Sequence, residues 1–160
     1  MSRQVRLLPS LLDRLLDERP GQATESAAQR AWSLDAFKAS IVRDLEILVN
    51  TRQALVATGI GAYPVLEGTL LDYGMPDFTG KSLLDPQARN QIRQQLEKAI
   101  CTGDRRFSKV RVQLLAQKTG PRMLTFHVDA VLQLQDIDRR VSFDAVLQIN
   151  SQQYKVQNLN

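Results

Sequence analysis

A chain of 160 residues, 43% apolar and 24% charged, has the make-up of one soluble globular domain, long enough to bury roughly 70% of its unfolded surface. No apolar run approaches the ~20 residues of a membrane span, Asp13, Asp17 and Glu18 break up any signal layout near the start, and the single cysteine, Cys101, excludes internal disulfides and metal sites built from paired cysteines. The formal charge of +4 is scattered along the chain, and 6% aromatic residues supply no alternation of rings and cations for stacking bases, so the expectations are a reducing cytoplasm, no export, no membrane insertion and no nucleic acid.

In chain order, residues 1–20 carry the leucine-rich "LLPSLLDRLLDERP", a short amphipathic helix started by Pro9 or Ser10 and stopped by Pro20 and Gly21. Its apolar side, with Leu11, Leu12 and Leu15, reads as a docking segment, because so short a helix rarely stands alone. Residues 21–30, rich in Gln, Ala, Thr, Glu and Ser, read as a linker. Ser33 then caps a long helix whose stripe is Leu34, Phe37, Ile41, Leu45 and Leu48, running to about Leu55 before "TGIGAYP" ends it. From Pro64 to Pro86 the chain is dense in Gly, Pro and Asp and predicts a loop with one helical turn around Leu66 to Leu71, long enough to suggest an interaction surface.

Asp85 followed by Pro86 starts a second helix, buried through Ala88, Ile92, Leu96 and Ile100 and ending near Thr102 and Gly103. Three segments of period two follow: Val110 to Leu114, Leu124 to Leu134 and Val141 to Ile149, with "QKTGP" and "QDIDRR" as turns between them and a short final strand around Tyr154 to Val156. The prediction is one α+β domain over 31–160, N-terminal helices followed by a three- to four-stranded antiparallel sheet with one polar face.

Candidate chemistry is thin. His127 shares a strand face with Thr125 and Asp129, but no nucleophile or oxyanion donor accompanies it, and a solvated strand histidine is the simpler reading. Glu67, Asp72 and Asp77 can supply the carboxylate pair of a glycosidase, although acids in Gly/Pro-rich loops ordinarily serve turns. Cys101 reads as a buried structural thiol at a helix end. "GIGAYP" is no phosphate loop, and one His with one Cys makes no metal site, so no cofactor, metal or catalytic residue is expected. Polar groups instead collect at two junctions: Asn50, Thr51 and Arg52 after the long helix, and Asp104, Arg105 and Arg106 before the first strand. Arginine suits rigid two-pronged contacts that an adjacent acid can orient, so the second junction reads either as a partner contact or as a cap serving the domain itself.

The blocks "LLPSLLDRLLDERP", "VRDLEILVNTRQ", "YPVLEGTLLDYGMPDFTG" and "IRQQLEKAICTGDRRFSKVRVQLL" follow one another as in the TssE family, baseplate wedge subunits of bacterial type VI secretion systems, and the chain resembles that family over nearly its whole length. That family is similar to wedge proteins of contractile phage tails labelled lysozyme-like. Its Phe-Glu-Pro-Arg-Leu motif corresponds here to Gly103, Asp104, Arg105, Arg106 and Phe107, so the acid and the second arginine are kept in type while the proline is lost. The resemblance implies a non-enzymatic part of the wedge beside TssF, TssG and TssK, against which the sheath of TssB and TssC starts to polymerise. It also implies a place in the bacterial cytoplasm at the inner-membrane-docked baseplate, and addition of a sheath strand to an exposed sheet edge. A small peptidoglycan hydrolase using Glu67 and Asp72 is the alternative from another class.

Overall fold

A computed structural model describes residues 10–15, 21, 33–53, 62–78, 85–116, 123–134 and 137–160, apart from the side chains of Leu11, Arg14 and Ile137. The chain divides into two compact units, Met1–Val42 and Arg43–Asn160.

In the first unit, Ser10 starts helix α1 (Leu11–Leu15). The Asp13 N–H donates to the Ser10 hydroxyl at 3.2 Å and the Ser10 N–H to the Asp13 carboxylate at 2.8 Å, a reciprocal cap that satisfies two N–H groups at the helix start. The same carboxylate, buried, accepts the Ser40 hydroxyl at 2.9 Å and so ties α1 to helix α2 (Leu34–Asn50). Leu12 and Leu15 are exposed, while residues 22–32 lie outside the described residues, and most of the expected linker with them. Ser33 caps α2 as expected, its hydroxyl accepting the Ala36 N–H at 3.1 Å, and Phe37, Ile41, Leu45, Leu48 and Val49 are buried.

In the second unit α2 ends at Asn50, earlier than the expected Leu55. The Met75 N–H donates to the Thr51 carbonyl at 2.8 Å and the Gln53 N–H to the Met75 carbonyl at 3.0 Å, so backbone groups needed for another helical turn are spent on a parallel bridge between Arg52 and Met75. Among the described residues the following loop holds the 3-10 turns Pro64–Leu66 and Leu70–Asp72, where one turn around Leu66 to Leu71 was expected. Gly68, at φ +71°, separates them, and the buried Asp72 carboxylate accepts its N–H at 3.2 Å.

Helix α3 (Pro86–Gly103) begins as the sequence implies, with the Asp85 side chain accepting the Gln87 N–H and Pro86 in the first turn, and it buries Ala88, Ile92, Leu96, Ala99 and Ile100. Strands β1 (Phe107–Leu114), β2 (Met123–Leu134), β3 (Ile137–Gln148) and β4 (Gln153–Gln157) form one antiparallel sheet in that order, the α+β arrangement expected. Alternation sends Phe126, Val128, Phe143, Ala145, Leu147, Tyr154 and Val156 into the core, where Phe107 meets Phe143 edge-on at 6.1 Å, and leaves the other face polar. A bulge between Ser108 and Arg111, with Lys109 at φ +51°, bends β1.

Helix side chains reach both edges of the sheet. On β4, Asn50 accepts the Tyr154 N–H at 2.8 Å and donates to the Tyr154 carbonyl at 2.9 Å, while Glu46 accepts the Val156 N–H at 2.9 Å. Asn50 thus bonds Tyr154 as a neighbouring strand would. Asn50→Ala is expected to cost about 1–2 kcal/mol, because two partly buried backbone groups lose their partners; chemical denaturation against wild type measures it.

Candidate docking site

The junction of α3 and β1 is built from three adjacent charges that the backbone sends in different directions. Gly103 sits against Leu48 of α2 so closely that a Cβ would meet the leucine methyls, one of them at 3.0 Å, which accounts for glycine rather than a bulky residue here. The Asp104 N–H then closes α3 on the Ile100 carbonyl, and its carboxylate accepts the Arg106 N–H at 3.0 Å. Arg106 turns inward, donating to both Asp104 oxygens (Nε at 3.0 Å, Nη2 at 2.7 Å) and to Asp44 of α2 at 2.9 Å, while Arg43 holds the other Asp44 oxygen at 2.6 Å. Burial works against the Arg106 charge, but the hydrogen bonds and charges of Asp104 and Asp44 outweigh it and raise its pKa. Tyr73 lines the same cleft as Gly103 and Arg105, and its phenol pKa is raised, first by burial and then by the charges of Asp104 and Asp44.

Arg105 points the other way and is exposed. It stands at a cleft of about 320 Å³ lined by Gly68, Leu70, Tyr73, Thr102 and Gly103. Beside it the two 3-10 turns carry Val65 and Leu70, 84% and 85% exposed, and Tyr63 is half exposed. Among the described residues no partner pairs with Arg105, which stands next to exposed apolar side chains and is adjacent in sequence to the inward-facing ion cluster of Asp104 and Arg106. Such a surface is chemically fitted to another protein's acidic and apolar side chains.

Of the other sequence candidates, Asp72 also lines this cleft, buried in its wall. Asp72 accepts from Gly68, lies 3.3 Å from the Gln53 amide and 3.5 Å from the Lys98 ammonium, and so organises the loop, whereas Glu67 and Asp77 are exposed. His127, read from sequence as a solvated strand histidine, bonds Asp144 of β3, its cross-strand partner, at 2.7 Å, and Asp129 on its own strand face is farther at 3.6 Å. Cys101 is exposed, contrary to the expectation of a buried thiol, because it falls about 100° around the helix from the buried Ile100. At the other junction, Thr51 donates to the Ile47 carbonyl at 2.7 Å and Arg52 to the Gln152 carbonyl at 2.9 Å, so with Asn50 both residues serve the framework. Among the described residues no group of acids, His and Cys is placed to hold a metal ion.

Asp44 and Tyr73 were missed. The only signal for Asp44 is its position at the margin of the α2 stripe, next to buried Leu45, and charged residues there are ordinarily solvated.

Partial burial disfavours the charged form of Asp144, but hydrogen bonds from Asn158 at 2.9 Å and from His127 outweigh it and hold the carboxyl below its ordinary range. A carboxyl depressed in the folded state adds stability that is complete above its unfolded pKa and is lost as pH falls through the lower folded value. Asp144→Asn should therefore melt below wild type at pH 7, the gap closing as the pH falls below about 4; paired melting curves check this.

Helices followed by a four-stranded antiparallel sheet with one polar face define an α+β module. The chain belongs to the baseplate wedge protein gp25 family, whose model matches residues 35–136, well over half of its length. No curated protein and no solved structure gives a significant match. The family is a structural component of baseplates, so the chain is a baseplate protein, and among the described residues no helix is long and apolar enough to cross a membrane.

Proposed function

We propose that this chain is a TssE-like wedge subunit of a type VI secretion baseplate. In this reading it sits in the bacterial cytoplasm beside TssF, TssG and TssK, at a baseplate docked on the inner membrane, and helps the TssB and TssC sheath start to polymerise. It performs no catalysis and uses no cofactor. The observation that carries the reading is the gp25 family match together with Arg105 lining the cleft with no partner among the described residues, while its neighbours Asp104 and Arg106 pair with each other. Arg105 is then the partner contact, and Asp104 and Arg106 hold it in position. Exposed Leu12 and Leu15, with Leu11, support a second contact on the N-terminal segment.

Co-expression with tagged TssF, TssG and TssK tests the reading. The intact chain is expected to co-purify, and deletion of residues 1–20 should leave a folded protein that no longer does so. Failure of the intact chain to join any of the three would reject the assignment. The hydrolase alternative is tested by incubation with cell-wall fragments. The Asp72 carboxylate already accepts the Gly68 N–H and lies 3.5 Å from the Lys98 ammonium, so it is committed to the loop rather than to a pair with Glu67, and no release of soluble fragments is expected. Turnover that disappears in Glu67→Gln would overturn the non-enzymatic reading.

A further inference from the structure

We propose that the corner of the polar sheet face where β1 begins and the β2–β3 hairpin ends is a second interaction surface, and that its occupant is an acidic helix of a partner protein. Basic residues that are scattered along the sequence meet there. The strand register puts Ser108, Val131 and Arg140 in one row across β1, β2 and β3, and Arg111, Asp129 and Ser142 in another. Alternation against buried Val112, Val128 and Phe143 keeps Arg111, Asp129, Arg140 and Ser142 on the face turned from the core. The bulge between the two rows adds one residue to β1, the exposed Lys109, and Arg139 is exposed at the same end of β3.

These cations differ from others in the same compact unit. Arg43, Arg52, Arg93, Lys98 and Arg106 are each held by a carboxylate or a carbonyl. Lys109, Arg111, Arg139 and Arg140 are exposed and, among the described residues, have no hydrogen-bond or ion-pair partner. Asp129 and Asp138 are the described acids in these rows, and Asp129 lies 3.6 Å from the His127 ring. Like charges about a Debye length apart therefore stand unneutralised, and a partner that supplies carboxylates relieves their repulsion.

The pattern favours a protein over other polyanions. The face offers no aromatic ring on which bases could stack, since Phe107, Phe126, Phe143 and Tyr154 are all buried, and Asp129 sits among the cations, where it would repel a phosphate chain. A membrane surface calls for apolar side chains beside the cations, but exposed Val65 and Leu70 are on the 62–78 loop and Leu115 is at the far end of β1. Arg111 and Arg140 are two strands and two residues apart, about 12 Å. Carboxylates two turns apart on a helix, at i and i+7, are separated by about 11 Å, within side-chain reach of both arginines. Half-buried Val131 and Ser142 leave room for the helix between them, and Asp129 takes a basic residue at its i+3 position. The surface does not depend on the cleft at Arg105, so its failure leaves the docking reading standing.

The test titrates the intact chain with a capped alanine-rich helical peptide carrying Glu, Lys and Glu at i, i+3 and i+7, and with its charge-reversed counterpart. The first should bind about tenfold tighter than the second, weaken with added salt and shift the amide resonances of Val131, Arg140 and Ser142. Arg111→Glu and Arg140→Glu should each lose about tenfold in affinity, and Arg105→Glu at the cleft should lose none. Arg111→Gln and Arg140→Gln, with melting curves alongside, should lose less in the same order, which separates lost contact from lost folding. Equal affinity for the two peptides, or undiminished binding in both Glu variants, would overturn the proposal. So would tighter binding of a single-stranded oligonucleotide or of vesicles containing phosphatidylglycerol, either of which would assign the corner to phosphate.

Discussion

Arg106→Ala is expected to destabilise the chain by about 2–4 kcal/mol, because it leaves Asp104 and Asp44 as partly buried carboxylates without their shared counter-ion. That corresponds to a fall in melting temperature of about 5–10 °C for a chain of this size. One guanidinium ties the end of α3, the start of β1 and α2 together, so the loss falls on tertiary structure as well as on the junction. Arg106→Lys should recover only part of it, since an ammonium cannot reproduce the flat fork that reaches Asp104 and Asp44 at once. Thermal melts of both variants measure the order wild type, Lys, Ala. An Ala variant that melts with wild type would mean that the cluster carries no stability.

Gly74→Ala should be comparably damaging, about 2–4 kcal/mol, through backbone geometry rather than charge. Gly74 has φ +100°, and a Cβ there would fall on the Thr51 peptide, 2.9 Å from its carbonyl carbon and closer still to its oxygen. That oxygen already accepts the Met75 N–H, so the added methyl must break the Arg52–Met75 bridge or push the loop away from the end of α2. The same displacement would move Tyr73 and the wall of the cleft. Gly74→Ala is expected both to melt about 5–10 °C lower and to bind partners less well, and melting together with co-purification tests the two effects on one sample.

The sequence made the framework legible because its signals were periodic and local. Ser33 and the pair Asp85 and Pro86 announced two helix starts through capping chemistry, and alternation from Val110 to Ile149 announced the sheet. The end of α2 was misplaced because the residues after Asn50 have helix-compatible composition, while the competing bridge to Met75 depends on a loop remote in sequence. The turn expected around Leu66 to Leu71 stands as the separate 3-10 turns Pro64–Leu66 and Leu70–Asp72, because the buried Asp72 carboxylate holds the Gly68 N–H between them, and burial of a loop acid leaves no periodic trace.

The junction was legible in content and not in direction. Three adjacent charges marked Asp104, Arg105 and Arg106 as a candidate contact, but whether each points in or out depends on Asp44, sixty-two positions away from Arg106. The edge caps were equally hidden: Arg93 and Glu97 look like an ordinary i,i+4 surface pair, and Glu46 and Asn50 like a solvated helix face, until the strands lie beside them.

The most direct test of the proposed docking role is co-purification of Arg105→Glu with tagged wedge and sheath partners, with its melting curve alongside. Arg105 is exposed, so the substitution should leave stability within about 0.5 kcal/mol of wild type. The expected variant melts normally and no longer retains the wedge subunits. A variant that melts normally and retains them undiminished would contradict it, and would reduce the three charges at the α3–β1 junction to a brace for the chain's own fold.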